Sequence, residues 1–235
     1  MPGYELGSTE PKGVLVATFV LIHGAGDVGW YWHLVEAELR AHGHDTVAPD
    51  LPCEDDAAGL PEYAQTVVDA IGDRQDLVVV GQSLNGFTAP LVCDQVAADL
   101  LVLVAPMIPA PGDSPVSYWT SSGYDQEERA PYDDPIEVFY QDVPHELAVE
   151  ALSNGRDQSE ARLDEPWPLD AWPKVPTRVL LCRDDRIFPA GFVRRVARER
   201  LGLTPDEIDG GHCPALSRPK ELADRLESFA ADASS

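Results

Sequence analysis

Hydrophobic positions along the chain fall into short unbroken runs, separated by stretches with helical spacing. The first run, Val14 to Ile22 (VLVATFVLI), is rich in β-branched residues and shows no polar alternation, the pattern of a strand buried on both faces. It ends at His23-Gly24-Ala25-Gly26. From Trp30 to Ala41 apolar residues return at helical spacing (Trp30, Leu34, Ala37, Leu39), and Gly43 marks the stop. Thr46-Val47-Ala48 predicts a short strand leading into Pro49-Asp50. Leu60 to Ile71 predicts a helix with Tyr63, Val67, Ala70 and Ile71 on one face. The rhythm repeats with strand Leu77 to Val80, helix Leu84 to Ala97 and strand Leu100 to Ala105. Strands alternating with helices predict a parallel sheet covered on both faces.

Residues 107–172 break the rhythm with prolines, acidic clusters and aromatics that include Tyr118, Trp119, Tyr124, Phe139, Tyr140, Trp167 and Trp172. So long a stretch is too large for a plain loop and reads as an inserted, mostly helical cap. It divides the chain into a first core part (1–106), the cap (107–172) and a second core part (173–235). In the last part the pattern resumes: strand Thr177 to Cys182, helix Gly191 to Arg200, a short strand near Glu207-Ile208, and helix Lys220 to Ala230.

Composition narrows the function classes. The chain has 235 residues, 44% hydrophobic and 25% charged, which is ordinary for a globular protein. Seventeen Lys and Arg stand against 41 Asp and Glu, a net charge of −24. Such a surface repels phosphate backbones and anionic lipids, so nucleic-acid and membrane-surface partners are not expected. No apolar run is long enough for a transmembrane helix. Cys53, Cys93, Cys182 and Cys213 show no metal-ligand spacing and read as small buried residues of a reducing compartment. Without a basic, apolar leader at the start, the expected location is cytoplasmic.

The strongest chemical signal is Gly81-Gln82-Ser83-Leu84-Asn85-Gly86, placed where a buried strand meets a helix. A serine at that junction can be held on a strained turn with its hydroxyl at the carboxyl end of the sheet. Serine needs a base at neutral pH, and the base needs an orienting acid. Two later strand ends supply them: Arg183-Asp184-Asp185-Arg186-Ile187-Phe188 and Gly210-Gly211-His212. His23-Gly24-Ala25-Gly26 can point a backbone N–H at the nucleophile, with Ala25 as one oxyanion donor and Leu84 as the other. His23 itself reads as a brace for the turn.

These pieces, in the order Ser83, Asp185, His212, resemble the α/β-hydrolase superfamily along nearly the whole chain. Phe19 to Trp32 (FVLIHGAGDVGWYW) and Gly43 to Leu51 resemble the plant methylesterase and hydroxynitrile lyase group. The resemblance implies an α/β-hydrolase fold, with a mostly parallel sheet of about six strands and helices on both faces. It also places the catalytic acid at Asp185, ahead of the Ile187-Phe188 pair, with Asp184 as rival. Lyases of the group carry Thr after the strand-end His and Lys after the catalytic His; here those positions are Gly24 and Cys213. Without that cation the hydrolytic branch is favoured. Asn85 replaces a small glycine of the turn, and either reaches the pocket or fills space.

Other pocket candidates are Gly24, Trp30, Trp32, Tyr118, Trp119, Phe139 and Tyr140, although each aromatic would serve equally as core. Gly24-Ala25-Gly26-Asp27-Val28-Gly29 also matches a dinucleotide fingerprint, with Asp50 ending the next strand, but that reading leaves Ser83, Asp185 and His212 unused. Glu54-Asp55-Asp56 and Asp125 to Arg129 read as solvated charge runs, and His145 as a surface residue. The expectation is a carboxylic-ester hydrolase with no metal or organic cofactor, acting on a small to medium, fairly apolar ester, with pairing as a homodimer left open. The alternatives are a lyase or tailoring enzyme on the same scaffold, and a small-molecule binding or signalling protein with a slow triad.

Overall fold

The computed structural model describes residues 16–126 and 134–234. Val14 and Leu15 of the first predicted strand, and most of the Asp125 to Arg129 run, lie outside the described residues. Six strands form one sheet in the order β2-β1-β3-β4-β5-β6, and every neighbouring pair is parallel. They are β1 (Thr18–Ile22), β2 (Asp45–Val47), β3 (Leu77–Gln82), β4 (Ala98–Val104), β5 (Thr177–Cys182) and β6 (Asp206–Ile208). The apolar runs are unbroken because both faces are covered, and successive residues feed opposite cores. Val20, Ile22, Val79, Leu101, Leu103 and Leu181 pack on one face, against α2 (Leu60–Ile71), α3 (Thr88–Gln95) and α7 (Ala190–Leu201). Phe19, Leu21, Val78, Val80, Val102 and Leu180 pack on the other, against α1 (His33–Ala41), α8 (Pro214–Ser217) and α9 (Pro219–Ala233).

Local chemistry explains the helix limits. In α2 the Gly59 N–H is capped by the Glu62 carboxylate at 2.8 Å, and Pro61 occupies the first turn, where its missing donor costs nothing. Helix α7 stops at Gly202, in the left-handed conformation that a residue without Cβ adopts freely. Two helices begin later than their spacing predicts. Gly29–Trp32 and Ser83–Gly86 are 3₁₀ turns ahead of α1 and α3, since each chain must first turn sharply off its strand.

Between β4 and β5 the chain leaves the sheet. Its described part holds α4 (Tyr118–Ser121), a 3₁₀ turn at Tyr124–Gln126, α5 (Pro135–Phe139) and α6 (His145–Asn154). The expectation of a mostly helical cap is therefore too strong. From residue 155 to 176 the backbone is irregular, and Pro166, Pro168, Pro173 and Pro176 each remove a donor a helix would use. Side chains hold it instead: Trp167 Nε1–H donates to the Phe87 carbonyl at 2.9 Å, and Arg162 pairs with Glu62 and Glu165. No helix among the described residues is long and apolar enough to cross a membrane.

Candidate active site

The carboxyl ends of β1, β3, β5 and β6 open on one edge of the sheet, the place where open α/β sheets bind ligands. The turn after β3 carries Ser83 with a φ of 53°, left-handed and costly for a residue with a Cβ. The turn closes only because Gly81 is bare: a Cβ there would meet Ala89 Cβ at 2.6 Å and the Asn85 carbonyl at 2.7 Å. His212, after β6, is almost fully buried, with Nε2 3.0 Å from Ser83 Oγ and Nδ1 2.8 Å from Asp185 Oδ2. Asp185 Oδ1 accepts the backbone N–H groups of Ile187 (2.7 Å) and Phe188 (3.0 Å), so the loop after β5 orients the carboxylate. Asp184 is exposed and makes no contact with His212; its carboxylate takes the Gly210 N–H at 3.3 Å.

Ala25 sits in the turn after β1. Leu84 is in the first turn of the 3₁₀ segment, where backbone donors have no helical partner. Both border the cavity over Ser83. His23 is buried beneath the turn. Its Nε2 accepts the Leu51 N–H at 3.1 Å and its Nδ1–H donates to the Gly24 carbonyl at 2.9 Å, while burial holds its pKa below the usual imidazole value. That pattern is a brace with a fixed tautomer. Asp50 accepts the Gly29 N–H at 2.8 Å and pairs with Arg156, so it ties the glycine loop to its neighbours.

Two chambers meet at Ser83. The larger, about 640 Å³, is walled by Leu84, Met107, Pro115, Val116, Trp119, Phe139, Leu163, Ile187 and Phe188, with Gln158 and Glu160 also on its wall. The smaller, about 220 Å³, is bounded by Gly24, Asp27, Gln82, Phe139, Tyr140, His212 and Cys213 among others. Of the expected pocket residues, Trp119 and Phe139 wall the larger chamber, and Gly24, Phe139 and Tyr140 the smaller. The other four require correction. Trp32 is fully buried in the core under α1, and Trp30 stacks on His33 at 4.3 Å, away from both chambers. Tyr118 lies behind the wall, its hydroxyl accepting the Ile108 N–H at 3.3 Å.

Asn85 points away from both chambers. Its Nδ2 donates to the His23 carbonyl at 2.5 Å, and its Oδ1 accepts the Thr88 hydroxyl at 2.6 Å. It cross-links the turn bearing Ser83 to the turn bearing Ala25, a role that a small space-filler lacks. Gly24 is equally specific. A Cβ there would meet Gln82 Oε1 and come within 3.3 Å of Ser83 Cβ, so a larger residue would have to displace the Gln82 amide.

Sequence reasoning missed Gln82 and Asp27. Gln82 Nε2 donates to the His212 carbonyl at 3.2 Å, tying the strand before the nucleophile to the loop that carries the base. Asp27 is buried in the smaller chamber, and burial lifts its carboxyl to about 7. The available signal was an acidic residue between a glycine turn and the buried Val28. Among the described residues, one His-carboxylate group has ligand atoms close enough to share a cation: His42, Asp224 and Glu227, on the surface by α9. Lys220 already pairs with Asp224 there.

A model of the alpha/beta hydrolase family matches residues 19–225. Methylesterase 7 of Arabidopsis thaliana is 30% identical, with 90% of this chain and 95% of that protein aligned. Norfluorocurarine synthase 1 of a Strychnos species is 23% identical over 90% of this chain and 94% of its own length. The crystal structure of polyneuridine aldehyde esterase superimposes with a TM-score of 0.77 at 20% identity, covering 92% of this chain and all of that one, a likeness in fold. Fold, strand-end site and the match to methylesterases agree, and the chain belongs to the alpha/beta hydrolase family, within its plant methylesterase-like group.

Proposed function

We propose that the protein hydrolyses a carboxylic ester of a small to medium, fairly apolar acid through an acyl-enzyme on Ser83. The observation that carries this reading is the unbroken line from Asp185 through His212 to Ser83, ending in a cavity walled largely by apolar side chains. Ser83 gives its proton to His212 Nε2 and attacks the acyl carbon, while the Nδ1–H leans on Asp185. The Ala25 and Leu84 N–H groups take the oxyanion, each worth roughly 3–4 kcal/mol in the transition state. His212 then protonates the leaving alcohol and afterwards draws a proton from water, which releases the acid and regenerates Ser83. The methylesterases among its relatives agree with ester cleavage.

The test is hydrolysis of short- and medium-chain p-nitrophenyl esters by wild type, Ser83→Ala and His212→Ala. Both variants should fall by about 10⁴-fold or more. Full activity in Ser83→Ala would sink the reading. A tailoring step on the same scaffold is the second reading, because norfluorocurarine synthases also align over nearly the whole chain. Products that have lost no acyl group to water would favour it.

A further inference from the structure

The two chambers at Ser83 differ in chemistry, and His212 tells them apart. It borders the smaller chamber and not the larger. On the hydrolytic mechanism proposed above, on which this inference rests, the imidazole must reach the leaving-group oxygen. The alcohol half of the ester therefore departs through the smaller chamber, and the acyl half occupies the larger, apolar one.

The smaller chamber holds two acceptors that no group among the described residues satisfies. The amide of Gln82 is oriented by its bond to the His212 carbonyl, which leaves Oε1 buried with no partner among the described residues. The Asp27 carboxyl, only 9% exposed, accepts no hydrogen bond from the described residues. The titratable groups coupled to it are His212 and Cys213 from the loop after β6 and Tyr140 at the end of α5, all three on the chamber wall, and the core residue Tyr31 from the 3₁₀ turn before α1. Among the described residues no lysine or arginine borders the chamber, whereas the aromatic rings of Phe139 and Tyr140 do. Buried acceptors are ordinarily paired, and a ligand that carries donors would pair these two. An ammonium group supplies both the positive charge that a buried carboxylate needs and the cation that aromatic faces attract.

We propose that the smaller chamber binds the alcohol half of a cationic ester, an amino-alcohol or alkylammonium alcohol, with Asp27 as its counter-ion and Gln82 Oε1 as a second acceptor. A bound cation draws the carboxyl back toward its ionised form, as an opposite charge does. The net charge of −24 would raise the local concentration of such a substrate.

The experiment compares two esters of one acyl group: choline, and 3,3-dimethylbutanol, its uncharged isostere. The ratio of their kcat/KM values cancels the titration of His212, which both share. At a pH above the Asp27 value of about 7 the ratio should favour the choline ester by about tenfold or more. It should shrink as pH falls below that value, and approach one in Asp27→Asn. A ratio at or below one in wild type, or one that ignores both pH and Asp27→Asn, overturns the proposal while Ser83-dependent turnover keeps the hydrolase reading. Calorimetric binding of choline to Ser83→Ala needs no turnover and separates the two further: binding lost in Ser83→Ala/Asp27→Asn supports the cation site, and no binding rejects it.

Discussion

Replacing Asn85 by alanine would cut the side-chain link between the turn that carries Ser83 and the turn that carries Ala25, together with the bond that Thr88 makes to the same side chain. The side chain is buried, as is Thr88, so neither stranded partner can reach bulk water. Asn85→Ala leaves the His23 carbonyl and the Thr88 hydroxyl without the bonds now seen at 2.5 and 2.6 Å. A buried group left unpaired costs about 1–3 kcal/mol, and the Thr88 hydroxyl can recover part by turning back along its helix, so the expected loss is about 2–4 kcal/mol. The effect on turnover should be smaller than deleting an oxyanion donor outright, which costs about 10²–10³ in kcat. The two N–H groups remain, but their spacing loosens, so kcat should fall about ten- to a hundredfold with KM little changed. Urea unfolding and p-nitrophenyl butyrate kinetics measure the two effects. Adding Thr88→Val removes the stranded hydroxyl and should restore about 1 kcal/mol of the stability but none of the kcat. The reasoning fails if Asn85→Ala unfolds within about 0.5 kcal/mol of wild type and keeps its kcat.

Three further outcomes are expected. Asp185→Asn should lower kcat by about 10⁴-fold, whereas Asp184→Asn should leave it close to wild type; equal losses would mean the acid is misassigned. Burial lifts Asp27 from 3.8 to about 7, so between those pH values the folded chain keeps a proton that the unfolded chain releases. That group's contribution to stability therefore falls as pH rises through this window, by up to about 1.4 kcal/mol per unit. Asp27→Asn, which cannot ionise, should gain on wild type between about pH 4 and pH 7, and a gap in urea midpoint that ignores pH would contradict this. Arg200 lies 5.1 Å over the Tyr118 ring and donates to Asp113 Oδ2 at 2.6 Å and to the Ile108 carbonyl at 2.5 Å. Arg200→Met strands a largely buried carboxylate and should cost about 3–5 kcal/mol, with part regained in Arg200→Met/Asp113→Asn; a loss below about 1 kcal/mol in calorimetry would show the pair to be incidental.

The alternating strands and helices were legible because each element carries its own period. Leu60–Ile71 and Thr177–Cys182 match their predicted limits to the residue. Ser83, Asp185 and His212 were legible for a related reason: each stands in the turn or loop that follows a strand, so local pattern alone places it on the shared edge. What stayed hidden depends on partners distant in sequence. The role of Asn85 is set by a carbonyl 62 residues earlier. Tyr118 and Trp32 look the same in sequence whether they face a cavity or the core, and packing alone decides. Ile187 and Phe188 were quoted as a mark of the family, yet their place on the wall of the larger chamber follows only once the Asp185 loop is seen to fold over it. The segment after residue 154 carries no period to read.

Two contacts made between α5 and α6 bear on how this scaffold can be rebuilt. Gln141 Nε2 donates to the Asp184 carbonyl at 2.6 Å, and Asp142 Oδ2 accepts the Gly211 N–H at 3.0 Å. Gly210 and Gly211 are bare where these side chains rest: a Cβ on either would approach an Asp142 oxygen at 2.5 or 2.8 Å. The stretch between β4 and β5 thus grips the loops on which the acid and the base stand. It is not an interchangeable module. A chimaera that imports another relative's segment to change substrate range must import residues equivalent to Gln141 and Asp142 with it, or accept a misaligned Asp185–His212 pair along with the new pocket.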